Sequence, residues 1–201
     1  MVRVPLTKDQ VASTKLVLNV ENVGLTEEQF FQLCSDNRDL RMELTQKELI
    51  IMPPAGLNSS WRNNILSTRL TNWAEKDGTG IVCNATAGYR LPDSAIRAPD
   101  ASWIRRERLD AFSEKELEKF AHLCPDFVAE VMSASDTLSE LQDKMAEYIA
   151  NGAQLGWLID PYEACVYIYR PGGPVECLEN PVNISGDPIL RGFVFNVAEI
   201  W

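Results

Sequence analysis

The stretch 127–160 holds two short apolar runs, Phe127-Val128-Ala129-Glu130-Val131-Met132 and Gln154-Leu155-Gly156-Trp157-Leu158-Ile159-Asp160, with about one helix's length of chain between them. No other feature restricts the fold as much. The first run is largely β-branched or aromatic apart from its charge and reads as an interior strand, and the second reads as another strand. Between them Leu138, Leu141, Met145, Tyr148 and Ile149 recur at helical spacing over 137–151, and Gly152 closes the helix. A strand, a helix and a strand joined this tightly form a right-handed crossover with parallel strands. The expected class is α/β, with a central mixed β-sheet flanked by helices.

The remaining segments fit around that unit. Thr26-Glu27-Glu28-Gln29 has the form of a capping box and predicts a short helix over 27–35, and Leu40 to Met52 alternates as a hairpin ended by Pro53-Pro54. Trp61, Ile65, Leu66, Leu70 and Trp73 predict an amphipathic helix over 57–74, capped near Asn58 or Ser59. Short strands are expected at 80–84, 88–91 and 100–104, and late strands at 166–169 and 192–197. Ser113-Glu114-Lys115-Glu116 predicts a charged helix that ends before Pro125. Residues 1–20 lack a clear period and are expected to be a peripheral arm of one domain spanning 1–201.

Glu130 is the only charged residue in its strand. Burying an ionised carboxylate costs several kcal/mol or more, as an order of magnitude, unless a cation or strong donors compensate it. Pro99-Asp100 opens another apolar run, Ala101-Ser102-Trp103-Ile104, and so brings a second carboxylate to a strand end. Two strand-borne carboxylates suit a hard divalent cation with oxygen ligands, Mg²⁺ or Mn²⁺. Such an ion can neutralise a phosphate and make a water nucleophilic. Lys144 lies on the rim of the apolar stripe of the 137–151 helix, where its ammonium could reach over the strand that carries Glu130. The same spacing also fits a surface pair with Glu140.

Composition removes other chemistries. The single histidine, His122, rules out zinc sites built on several imidazoles, and no glycine-rich phosphate loop is present. Five scattered cysteines without a Cys-x-x-Cys pair suggest a reducing, cytoplasmic setting, and no apolar stretch approaches the roughly 20 residues of a membrane span. A net charge of −10 argues against binding nucleic acid by bulk electrostatics. Arg97, Arg105, Arg106 and Arg108 nevertheless cluster around the Asp100 strand and could form a local phosphate-facing rim.

Four motifs taken together, Ala98-Pro99-Asp100-Ala101-Ser102-Trp103, Glu130-Val131-Met132-Ser133-Ala134-Ser135-Asp136, Lys144 through Gly152, and Gly156-Trp157-Leu158-Ile159-Asp160-Pro161, resemble in order and spacing the Uma-two family of restriction-type endonucleases, a branch of the PD-(D/E)XK nuclease superfamily. The likeness runs from the Glu27 helix through Met42-Glu43-Leu44 and Glu48-Leu49-Ile50 to Leu190-Arg191-Gly192-Phe193. The resemblance implies a restriction endonuclease-like core and a Mg²⁺-dependent DNA endonuclease. It makes Asp100 and Glu130 the metal ligands, with a backbone carbonyl near Val131 as a third. It assigns Lys144 to the attacking water, in place of the superfamily lysine that would fall at Met132. Ser133, Asp136 and Tyr148 would surround the site, and a homodimer is implied. The start of the first core helix carries no acid or histidine, so Glu43 or Glu48 is the possible extra acid. The alternative is a nuclease-like fold without activity that serves as a binding or assembly module.

Overall fold

A computed structural model describes residues 15–201, and most of the expected arm over 1–20 lies outside the described residues. The chain divides into two compact units, 1–55 and 56–201.

In the first unit the end of the expected arm is strand β1 (Leu16–Asn19). Helix α1 (Glu27–Asp36) starts at the anticipated capping box, in which Thr26 and Gln29 each bond the other's backbone amide. Strands β2 (Arg41–Leu44) and β3 (Glu48–Met52) form the expected antiparallel hairpin, and β1 pairs with the outer side of β3.

The second unit opens with helix α2 (Leu57–Asp77). Its N-cap is Gly56, not Asn58 or Ser59, because the helix starts as soon as Pro53-Pro54 ends β3. It stops at Gly78, which adopts the left-handed conformation (φ 74°) that glycine alone takes without strain. Strand β4 (Gly80–Asn84) follows, then a small hairpin of β5 (Tyr89–Arg90) and β6 (Ile96–Arg97), and then β7 (Ala101–Arg105). Two single-turn helices, α3 (Arg106–Leu109) and α4 (Glu114–Leu117), lead to β8 (Phe127–Val131). The capping box at Ser113 is present, but α4 is much shorter than predicted. Ala121 bridges to Tyr89 and its carbonyl accepts from the Arg90 amide at 2.9 Å, which draws the chain out of the helix and leaves His122 exposed in a bend.

Helix α5 (Leu138–Ala150) then crosses to β9 (Leu155–Asp160), which pairs parallel with β8 from Phe127↔Leu155 to Val131↔Ile159. Strands β10 (Cys165–Tyr169) and β11 (Glu176–Glu179) continue the sheet antiparallel, and β12 (Asn183–Ser185) pairs with β13 (Val194–Asn196). The result is a six-stranded mixed sheet in the order β11-β10-β9-β8-β7-β4.

Alternation along β8 decides what each face sees. Phe127, Ala129 and Val131 pack with Leu66, Leu70 and Ala74 of α2 and with Trp103 and Trp157. Val128 faces the other way, against Met145 and Tyr148 of α5. Trp73 joins the α2 face and packs on Trp103 and Phe193, whereas Trp61, predicted on the same apolar stripe, is 44% exposed near the start of the helix. Among the described residues no helix is long and apolar enough to cross a membrane.

Candidate active site

Glu130 has the parity of Val128, so its side chain lies on the α5 face of the sheet. It is 4% exposed. Its compensation comes from the crossover helix, where Lys144 Nζ lies 2.7 Å from Glu130 Oε1 and the Tyr148 hydroxyl donates to the same oxygen at 3.2 Å. The Lys144 side chain is only 11% exposed and its ammonium lies 5.9 Å from the Tyr148 ring centre, within cation–π range. Lys144 and Tyr148 can share one carboxylate oxygen because residues four apart lie on the same helix face.

Asp100 arrives from β7. The ladder pairs Ala101 with Ala129, so Asp100 stands one step further, opposite Glu130. The Val131 amide donates to Asp100 Oδ2 at 3.0 Å, which holds that carboxylate beside the peptide joining Glu130 and Val131. Asp100 is itself buried. Asp100, Glu130, Lys144 and Tyr148 thus meet at one end of β7 and β8.

Ser133 and Asp136 act locally, and two further candidates belong to the first unit. Ser133 donates to Asp136 Oδ2 through both its amide (2.9 Å) and its hydroxyl (2.6 Å), which shapes the turn between β8 and α5. Thr137 caps α5, accepting from the Glu140 amide. In the first unit, Glu43 is buried on β2 and Glu48 is exposed at the head of β3. The expected basic rim does not form around Asp100. Arg105 and Arg108 stand at the opposite end of β7, about 16 Å along the strand by its rise per residue. There both pair with buried Asp126, Arg108 at 3.0 Å. Arg97 turns inward, with Nε 2.5 Å from Glu147 Oε2. The expected strand over 100–104 already put Arg105, Arg106 and Arg108 beyond its far end, so closeness in sequence overstated their closeness to Asp100.

Two polar contacts of α5 were not anticipated, the Arg97–Glu147 pair and an Asn151–Asp93 pair in which Asn151 donates to the carboxylate at 2.8 Å. Their signal in the sequence was the i, i+3, i+4, i+7 spacing of Lys144, Glu147, Tyr148 and Asn151.

A family profile described as "Uma2: Putative restriction endonuclease" matches residues 27–198, the greater part of the chain. The chain belongs to the Uma2 family. Its fold is similar to the crystal structure of "a putative nuclease belonging to DUF820" from Anabaena variabilis, with a TM-score of 0.67 and 19% identity, over 79% of this chain and 88% of that one. No curated protein matches it. In this Uma2 member Met132 stands two residues past Glu130, and its amide donates to the Ile159 carbonyl at 2.9 Å. The ammonium near Glu130 comes from α5 instead.

By donor type the site suits a hard cation. Two buried carboxylates on adjacent strands offer oxygen alone, and magnesium is commonly held by one or two carboxylates while it keeps several waters. Among the described residues no group of three or more His, Cys, Asp or Glu is arranged to enclose a metal.

Proposed function

We propose that the protein is a Mg²⁺-dependent endonuclease that hydrolyses DNA phosphodiester bonds, with Asp100 and Glu130 as the carboxylates that hold the ion and Lys144 as the residue that positions the attacking water. The observation that carries this reading is the 2.7 Å contact between Lys144 and buried Glu130, at the strand end shared with Asp100, in a member of a family described as restriction endonucleases.

Bound magnesium would supply charge neutralisation for the phosphate and make water more acidic. The other contributions belong to the chain. An ammonium carries three hydrogens, so Lys144 can give one to Glu130 and still direct another at a water oxygen. The Tyr148 hydroxyl on the same carboxylate oxygen fixes the Glu130 rotamer, and the Val131 amide fixes Asp100. Positioning of this kind places the nucleophile before reaction instead of during it.

The test is cleavage of supercoiled plasmid DNA by the purified protein with Mg²⁺ or Mn²⁺. The expected result is nicking that chelation abolishes and that Asp100→Asn, Glu130→Gln and Lys144→Met each remove. Failure of the parent to cleave DNA with either ion, while it still binds the ion, would favour the second reading, a nuclease-like binding or assembly module. The net charge of −10 favours that reading.

A further inference from the structure

Helix α5 meets its surroundings through two kinds of contact. Leu141, Met145 and Tyr148 bury apolar surface against the sheet. Such contacts seat the helix on the sheet, with Met145 packed against Gly156, but they do not fix the direction of the polar side chains along its edge. Directional contacts run along one edge of the helix, where Lys144 and Tyr148 reach Glu130, Glu147 reaches Arg97 and Asn151 reaches Asp93.

The Arg97–Glu147 contact connects the two chain segments that build the site. Arg97 lies three residues before Asp100 at the end of β6, and Glu147 lies three residues after Lys144 on α5. The two side chains are only 10% and 22% exposed, and their Nε and Oε2 atoms are 2.5 Å apart. Charge-assisted hydrogen bonds of this kind fix geometry more tightly than apolar packing does. One turn further along the helix, Asn151 accepts from the Asp93 amide at 2.9 Å and donates to the Asp93 carboxylate, so segment 93–100 is tied to α5 at two successive levels.

We propose that Arg97 and Glu147 are a positioning pair that holds Lys144 in register with Glu130 by tying α5 to the segment that delivers Asp100. The pair acts through Lys144 and does not itself touch the reacting atoms. This inference rests on the function proposed above, and its test includes a measurement that needs no cleavage.

The coupling between Lys144 and Glu130 is measured by a double-mutant cycle with Lys144→Met and Glu130→Gln, first in the parent and then in a Glu147→Gln background. If the pair sets the register, the coupling falls by about half or more in that background. Unchanged coupling overturns the proposal whatever happens to cleavage. In the cleavage assay Glu147→Gln should lower kcat by about ten- to a hundredfold with KM within about twofold, since small misplacement of a positioned group is costly. The charge swap Arg97→Glu with Glu147→Arg should recover much of that loss. Loss of stability with unchanged kcat would reduce the pair to a structural tie and overturn the assignment. If the parent does not cleave DNA, the proposed function fails while the cycle still decides the positioning claim. If Glu147→Gln does not fold, Arg97→Lys takes its place, because it keeps the charge and loses the planar fork.

Discussion

Replacing Lys144 with methionine removes the ammonium and keeps most of the side chain's volume. At the observed 2.7 Å separation, the gross attraction between unit charges is about 6 kcal/mol for an effective dielectric of 20. Much of that is offset by desolvation, because the Lys144 and Glu130 side chains are only 11% and 6% exposed. Removing one member forfeits the attraction and leaves a buried carboxylate, for which losses of about 3–5 kcal/mol are usual. Lys144→Met should therefore destabilise the protein by about 3 kcal/mol, read in urea as a midpoint lowered by about 1–2 M for a slope near 2 kcal/mol/M. Glu130→Gln should cost less, because the amide oxygen can still accept from Tyr148. Combining the two should restore stability to within about 1 kcal/mol of the parent, since a neutral pair of similar volume often replaces a buried ion pair at little cost. A shift of only a few tenths of a kcal/mol for Lys144→Met would return the lysine to the solvated surface pair that its spacing with Glu140 also allowed and would refute the reasoning. So would a double variant as unstable as the sum of the singles.

Magnesium should raise the melting temperature of the parent, by an amount equivalent to about 2.7 kcal/mol at a hundred times its dissociation constant, and should leave Asp100→Asn unchanged in differential scanning fluorimetry. Cys124 is buried, and burial pushes its thiol up to about 12 from 9.0. The folded state holds that proton more tightly than the unfolded state does, so its contribution to stability is complete below about pH 9 and declines between about 9 and 12, by at most about 1.4 kcal/mol per pH unit. Urea midpoints measured across that window should fall less steeply for Cys124→Ala than for the parent. A Cβ at Gly80 would collide with the Ile104 carbonyl and the Trp103 ring, so Gly80→Ala should cost about 1–3 kcal/mol by the same urea titration.

What the sequence disclosed was local or periodic. The capping boxes at Thr26 and Ser113, the hairpin of β2 and β3 and the β8–α5–β9 crossover follow from spacing within a few turns of chain, and each forms where expected. Asp100 and Glu130 stood out because a charge in an apolar run requires compensation. Lys144 was a candidate source of that compensation, but its choice of Glu130 over Glu140 was not legible, since a lysine on the rim of a stripe can turn to either side and only packing against the sheet decides which. Arg97 was read as part of a phosphate-facing rim because its partner, Glu147, is fifty residues away in sequence. The two-residue strands β5 and β6 carry too little pattern to define an ending, and the bridge from Ala121 to Tyr89 that cuts α4 short has no local signal at all.

The ion pair between Lys144 and Glu130 also bears on how the protein is made. Many small metal-binding domains cannot close until their ion arrives, because closure would bring their ligands together and strip their water with no cation to compensate. Here the chain carries its own counter-charge, so folding need not wait for a cation. A newly synthesised molecule can reach its final shape in a metal-poor setting, and under the proposed function supply of the ion would govern activity separately from assembly. Chelation should accordingly silence the protein and leave it folded.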